Sequence, residues 1–124
     1  MYCLVTGSRD WDSIEAIRSD LETLPPHTVV LHGACPSGAD AIAEAEANRL
    51  GLLTQPFPAD RSKGKKAGPI RNHEMVKFLS DRVSAGADYV AFAYKQRTDS
   101  AGTDDCINKL RARALDFETR HAKG

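Results

Sequence analysis

Four short stretches carry residue types able to do chemistry, and each joins a β-prone run to a segment of helical character. Gly7-Ser8-Arg9 follows the apolar run from Tyr2 to Thr6. Its backbone N–H groups can cradle a phosphate, with Arg9 as a charged fork. An ordinary strand-to-helix turn with a solvated arginine accounts for the same residues. The run His32-Gly33-Ala34-Cys35-Pro36-Ser37-Gly38-Ala39-Asp40 follows Val29-Val30-Leu31 and precedes an alanine-rich segment. Gly33 and Gly38 let the backbone turn sharply and approach a ligand closely. A helix starting near Ser37 presents unpaired N–H groups and the positive end of its dipole, which is a seat for phosphate. Ser37 adds a donor there, although a cap at Ser37 with Asp40 in the favourable first turn explains the pattern too.

The most distinctive run is Gly64-Lys65-Lys66-Ala67-Gly68-Pro69-Ile70-Arg71-Asn72. It holds the Gly-Lys pair of a Walker loop but lacks that motif's first glycine and the Ser/Thr after its lysine. The lysines read as a solvated basic loop. Arg71 and Asn72, at the expected start of the next helix, read as site residues. Gly102-Thr103-Asp104-Asp105 opens the last helix, where carboxylates complement the dipole and repel phosphate. A functional carboxylate there contacts sugar hydroxyls or acts as an acid or base. His32 and Cys35 invite a metal, but no second pair completes four ligands, so none is expected. Ser80, His73 and His121 form no nucleophilic triad by spacing.

The elements that must position these residues alternate along the chain. Strands are expected at Tyr2 to Thr6, Thr28 to Leu31, Leu52 to Phe57 and Tyr89 to Phe92, the last extending toward Tyr94. A final, weakly signalled strand is expected at Phe117 to Arg120. The first helix has a start signal at Asp12-Ser13-Ile14-Glu15, with Asp12 as capping carboxylate, and runs to about Leu24 before Pro25-Pro26. Its apolar stripe is Ile14, Ile17, Leu21 and Leu24. The second helix spans Ser37 to Leu50. Ala59 to Pro69 is read as a loop, and the third helix as starting at Ile70 or Arg71 and stopping at Gly86. Its buried stripe is Met75, Phe78, Leu79 and Val83. Lys95 to Ala101 is read as a polar loop. The fourth helix follows, with Ile107, Leu110 and Ala114 inside.

Alternating strands and helices predict an α/β fold. The expected form is a Rossmann-like three-layer α/β/α domain with a mostly parallel sheet of four to five strands. Ligands of such sheets sit at the carboxyl ends of the strands, near a topological switch point. All four chemistry-bearing turns belong at that edge. At 124 residues one domain is expected. The 17 basic and 17 acidic residues cancel, which argues against a general nucleic-acid coat. No apolar run approaches the roughly 20 residues of a membrane span, and no signal-peptide pattern opens the chain. Three scattered cysteines, Cys3, Cys35 and Cys106, fit free thiols in a reducing cytoplasm.

Taken together, an ordered set of motifs resembles the YspA/YpsA-related branch of the SLOG superfamily. The set is Gly7-Ser8-Arg9, His32-Gly33 with Gly38-Ala39-Asp40, Pro58-Ala59-Asp60, Gly64, Ala67 to Asn72 with Met75, Ala91-Phe92 and Gly102-Thr103. That superfamily includes the LOG phosphoribohydrolases and the core of DprA. The resemblance implies a nucleotide or nucleotide-derived small molecule at the glycine turns. Gly7, Ser8, Arg9, Gly33, Ser37, Gly38, Gly102 and Thr103 would contact phosphate and ribose, with Asp40 and Asn72 in the same ligand-binding set.

LOG enzymes cleave the N-glycosidic bond of a nucleoside 5′-monophosphate with an arginine and a glutamate. Arg71 matches the first, and Asp105 stands at the second. Ser100-Ala101 replaces the usual double glycine, and Arg61 the usual aromatic after Pro-Ala-Asp. The expected function is therefore binding of a nucleotide or ADP-ribose-like signal, as a sensor or sequestering domain. Hydrolysis through Arg71 and Asp105 is the alternative, and DprA-like binding of single-stranded nucleic acid a third. No cofactor and no membrane contact are expected. A homodimer is, as in related proteins.

Overall fold

A computed structural model describes residues 1–96 and 100–122. The elements run β1 (Tyr2–Gly7), α1 (Ile14–Leu21), β2 (Val29–His32), α2 (Gly38–Arg49), β3 (Leu53–Pro56), a 3₁₀ stretch (Arg61–Lys66), α3 (Ala67–Ser84), β4 (Tyr89–Lys95), α4 (Ala101–Ala112) and β5 (Glu118–His121). Of the polar loop read at Lys95 to Ala101, Arg97 to Asp99 lie outside the described residues.

All strand pairings are parallel, in the order β3-β2-β1-β4-β5. The expected α/β architecture is therefore present, with a five-stranded sheet. β1 is central, and its side chains alternate between the two faces as the pleat requires. Cys3 and Val5 join Ile17, Leu21, Ala43 and Ala47 under α1 and α2. Leu4 joins Met75, Val76, Leu79 and Leu110 under α3 and α4. In register, Leu4 pairs with Leu31 of β2 and Ala91 of β4. The chain leaves the sheet in one direction after β1 and in the other after β4, so a crevice opens between their carboxyl ends.

Several boundaries differ from expectation, each for a local reason. α1 ends at Leu21, three residues early, and Ser13 rather than Asp12 caps it by accepting from Ala16 N–H at 3.3 Å. Ile14 is exposed, because the first turn rises clear of the core that Ile17 and Leu21 enter. α3 begins at Ala67 rather than at Ile70 or Arg71. Asp60 starts the preceding 3₁₀ stretch by accepting from Ser62 N–H at 3.0 Å, so most of the expected loop is helical. Gly64, at φ 59°, separates the two turns. Pro69 falls in the first turn of α3, where a missing N–H costs nothing. α4 ends before Ala114, which is exposed at φ 56°, and Leu115 takes its expected place in the core.

Two polar ties brace this arrangement, one from α1 to the sheet and one between α1 and α2. Arg120 of β5 and the Tyr94 hydroxyl of β4 both donate to Asp20 of α1, at 2.9 and 2.8 Å. Arg18 of α1 donates to Glu46 of α2 at 2.7 Å, and Arg49 adds a 3.0 Å bond to the same oxygen. The Arg18 hydrogen bond is the main cause holding the Glu46 carboxyl down to about 2, from an ordinary value of 4.5. A carboxyl depressed on folding stabilises the native state above its unfolded pKa and loses that contribution as pH falls through the folded one. Denaturation midpoints of wild type and Glu46→Gln should therefore differ at pH 7, the wild type being more stable. The gap should shrink between pH 4.5 and 2. Ala114 occupies a left-handed C-terminal position that favours glycine, so Ala114→Gly should raise stability by about 1 kcal/mol in thermal melts.

Candidate functional site

The carboxyl edge of the sheet forms one cleft of about 1060 Å³. The turns after β1, β2, β3 and β4 all line it, as do the first turns of α3 and α4. Gly7, Ser8, Arg9, Gly33, Asp40, Arg71, Asn72, Gly102, Thr103 and Asp105 are brought together there.

Ser37 and Gly38 do not line the cleft, because α2 presents its N-terminus to the β1–α1 turn. Ala39 N–H donates to Ser8 C=O at 3.2 Å, and Ser37 Oγ donates to Arg9 C=O at 3.0 Å. Gly38 sits against that carbonyl pair at φ 71°, and a Cβ there would lie 2.3 Å from Ser8 O. The phosphate seat expected at α2 is thus filled by protein carbonyls. Ser37 neither caps α2 with its side chain nor donates into the cleft.

The helix starts that do open to the cleft are those of α3 and α4. Cβ positions built on Gly68 and Gly102 meet nothing within 4 Å. Both turns therefore leave open space beside their glycines.

Gly7 and Ser8 serve the frame more than a ligand. A Cβ on Gly7 would lie 2.4 Å from the Cβ of Ala39, so the glycine lets α2 pack directly on β1. Ser8 Oγ accepts from Gln96 N–H at 3.0 Å and shares a 2.7 Å bond with Ser100 Oγ, which ties the turns after β1 and β4.

Arg71 lies in the second turn of α3, not at its start, and reaches across to β2. Its guanidinium donates to Gly33 C=O and, through Nε, to Asn72 Oδ1 at 2.9 Å. Gly33 is what makes the approach possible, since a Cβ there would lie 2.4 Å from Arg71 Nη1 and 2.9 Å from Asp40 Oδ2. Asp40 is 7% exposed and accepts from Cys35 N–H at 3.3 Å. Burial raises its carboxyl above the usual range against the opposing pull of the Cys35 and Gly33 N–H groups and of Arg71. His32 completes this wall. Its Nδ1 accepts from Ala34 N–H at 3.0 Å, so Nε2 carries the proton given to Glu44 at 2.7 Å. With both ring nitrogens engaged, His32 is a fixture of the turn and not a ligand donor.

Asn72 is buried and joins the two walls. Its Nδ2 donates to Gly102 C=O at 3.1 Å and to Asp105 Oδ2 at 3.0 Å. Lys109 bonds both oxygens of Asp105, at 2.6 and 2.7 Å. Lys109 was not singled out from the sequence, although Asp105 and Lys109 stand four apart on a helix, the spacing of an ion pair. At the rim, Arg61 and Lys65 line the cleft while Lys63 and Lys66 do not. Lys65 is exposed there, as are Lys63 and Lys66. Arg9, Arg61 and Lys65 have no side-chain ion pair or hydrogen bond among the described residues. No group of three or more His, Cys, Asp or Glu side chains with metal-holding geometry occurs among them either.

Comparison with known proteins places the chain in a family. The model of the YspA, cpYpsA-related SLOG family matches residues 1–64. Gene 61 protein of Mycobacterium phage D29 is 37% identical over 116 residues, covering 86% of this chain and 85% of that protein. The chain belongs to the YspA, cpYpsA-related SLOG family. Among solved structures it aligns with the C-terminal domain of a hydrogenase from Pyrococcus furiosus, over 98% of this chain and 90% of that one, at a TM-score of 0.49 and 11% identity. SLOG membership gives a nucleotide-related, LOG-like role at the coarse level. Arg71, Asn72 and Asp105 lie beyond the residues matched by the family model, and the fold brings them to the SLOG motifs. Among the described residues no helix is long and apolar enough to cross a membrane.

Gly33→Ala should expel the Arg71 guanidinium from its carbonyl anchor. Because Arg71→Ala removes the same contact, the double variant should be less destabilised than the sum of the two single ones. A coupling of about 1 kcal/mol or more in denaturant melts is expected, and strict additivity would refute the contact's importance.

Proposed function

We propose that this SLOG chain binds a nucleotide or an ADP-ribose-like signalling nucleotide and acts as a sensor or sequestering domain. One observation carries the reading. The cleft at the β1–β4 switch point has the cations Arg9, Arg61 and Lys65 at its rim, without a side-chain partner among the described residues, and carboxylates at its floor, Asp40 and Asp105. Such cations suit phosphate, while a polar floor suits sugar and base. The volume, about 1060 Å³, lies at the upper end of ordinary small-molecule sites, about 300–1,000 Å³.

N-glycosidic hydrolysis is the second reading, favoured by the placement of Arg71 and Asp105 on either side of Asn72. Asp105, however, is already neutralised by Lys109. A carboxylate so paired offers little negative potential to an oxocarbenium-like state, which is why binding without turnover is preferred. Single-stranded nucleic acid is disfavoured by the zero net charge, for phosphate contacts supply most of such affinity.

Retention of intact ligand from a pool of nucleoside monophosphates, ADP-ribose and cyclic ADP-ribose, read by mass spectrometry, is the expected result. Free base with ribose 5-phosphate would instead establish the hydrolase. No retention, together with a gel shift of single-stranded DNA at moderate salt, would overturn both. Arg9→Ala and Arg61→Ala should each weaken retention by about tenfold, the size of a charge-assisted hydrogen bond. Asp105→Asn should change it by no more than about threefold in a binder, and should abolish base release in a hydrolase.

A further inference from the structure

The cleft floor holds two carboxylates, and the protein treats them differently. Asp105 has both oxygens on Lys109 and one also on Asn72. Asp40 has backbone donors only: Cys35 N–H bonds Oδ2 and the Gly33 N–H faces the group. No side chain among the described residues donates a hydrogen bond to it. Arg71, beside it, is committed to Gly33 C=O and Asn72. A carboxylate has about four acceptor positions. Asp40 lines the cleft at 7% exposure, and two backbone donors leave acceptor positions of its carboxylate unused.

Burying a carboxylate without full compensation is costly, and a group kept there calls for a donor from elsewhere. Phosphate is excluded by charge, and a base offers donors only at an edge that differs from one base to the next, whereas every ribonucleotide carries the same vicinal pair of hydroxyls. Neutral hydroxyls fit. Building on the nucleotide reading above, we propose that Asp40 is the specificity-determining residue for the ribose, accepting from its vicinal hydroxyls and selecting ribonucleotides over 2′-deoxyribonucleotides. The phosphate then points outward to Arg9, Arg61 and Lys65, and the ligand lies sugar-inward.

The test uses the intact chain and isothermal titration with AMP, ADP, their 2′-deoxy counterparts and ADP-ribose. The wild type should bind AMP or ADP at least about tenfold more tightly than the matching deoxynucleotide. Asp40→Asn keeps the carbonyl that accepts from the backbone but turns a donor toward the cleft. It should weaken ribonucleotide binding more than deoxynucleotide binding, which loses the 3′-hydroxyl contact alone, so that the preference between the two disappears. A collapsed turn would weaken both alike. Removing a desolvated charge should leave the melting temperature of Asp40→Asn equal or higher, and Asp40→Ser provides a second variant should the asparagine disturb the turn. Equal binding of ribo- and deoxynucleotides by wild type, or discrimination that persists in both variants, would overturn the role of Asp40 alone. Failure of wild type to bind any of the five probes would overturn the nucleotide reading and this proposal with it.

Discussion

The cleft keeps its shape because a guanidinium is pressed against a glycine. Arg71, on α3, crosses to the carbonyl of Gly33 at the end of β2, and only a residue without a Cβ admits it. That contact locates the turn bearing Asp40 and Cys35. Through Asn72, it also links the turn to the first residues of α4. Charged hydrogen bonds are strong when desolvated and leave costly orphans when broken, so one displaced side chain disturbs three walls at once.

Beneath this contact lies the sheet. A central β1 flanked by β2 and β4 sends the connecting helices to opposite faces, and the opening at the switch point follows from topology. Packing then narrows the opening. Ala39, Ala43 and Ala47 form a small-residue stripe that, with Gly7, brings α2 onto the strands. The same closeness feeds the carbonyls of Ser8 and Arg9 to the start of α2. Tight packing thereby removes an anion seat from α2, and the accessible helix starts are those of α3 and α4.

Charge is divided between floor and rim. Arg71 in the cleft and Lys109 behind Asp105 are committed to protein acceptors, whereas the rim cations Arg9, Arg61 and Lys65 have no side-chain partner among the described residues. A ligand entering such a cleft meets attraction for anions outside and hydrogen-bond acceptors inside. This gradient gives a small molecule an orientation before any shape fit is considered.

How much of this was legible beforehand depends on the kind of information. Strand and helix order, the parallel α/β class and the convergence of four turns follow from hydrophobic period and from glycine and proline positions, which are local properties. Arg71 is legible as a candidate from its place after a glycine-rich run, Asp105 only through the family resemblance, and both line the cleft. The 3₁₀ stretch was not legible, because Asp60 and Ser62 set it by a side-chain bond no period reveals. Nor was the fate of Ser37 and Gly38, whose motif reads identically whether the facing group is a phosphate or the Ser8 carbonyl. The sequence by itself determined which turns meet at one edge, since strand direction and crossover handedness follow from the alternation of elements. Only the tertiary structure decided which polar groups there are already paired. That is a matter of contacts between residues distant in the chain, such as Gly33 with Arg71, and such contacts leave no local trace.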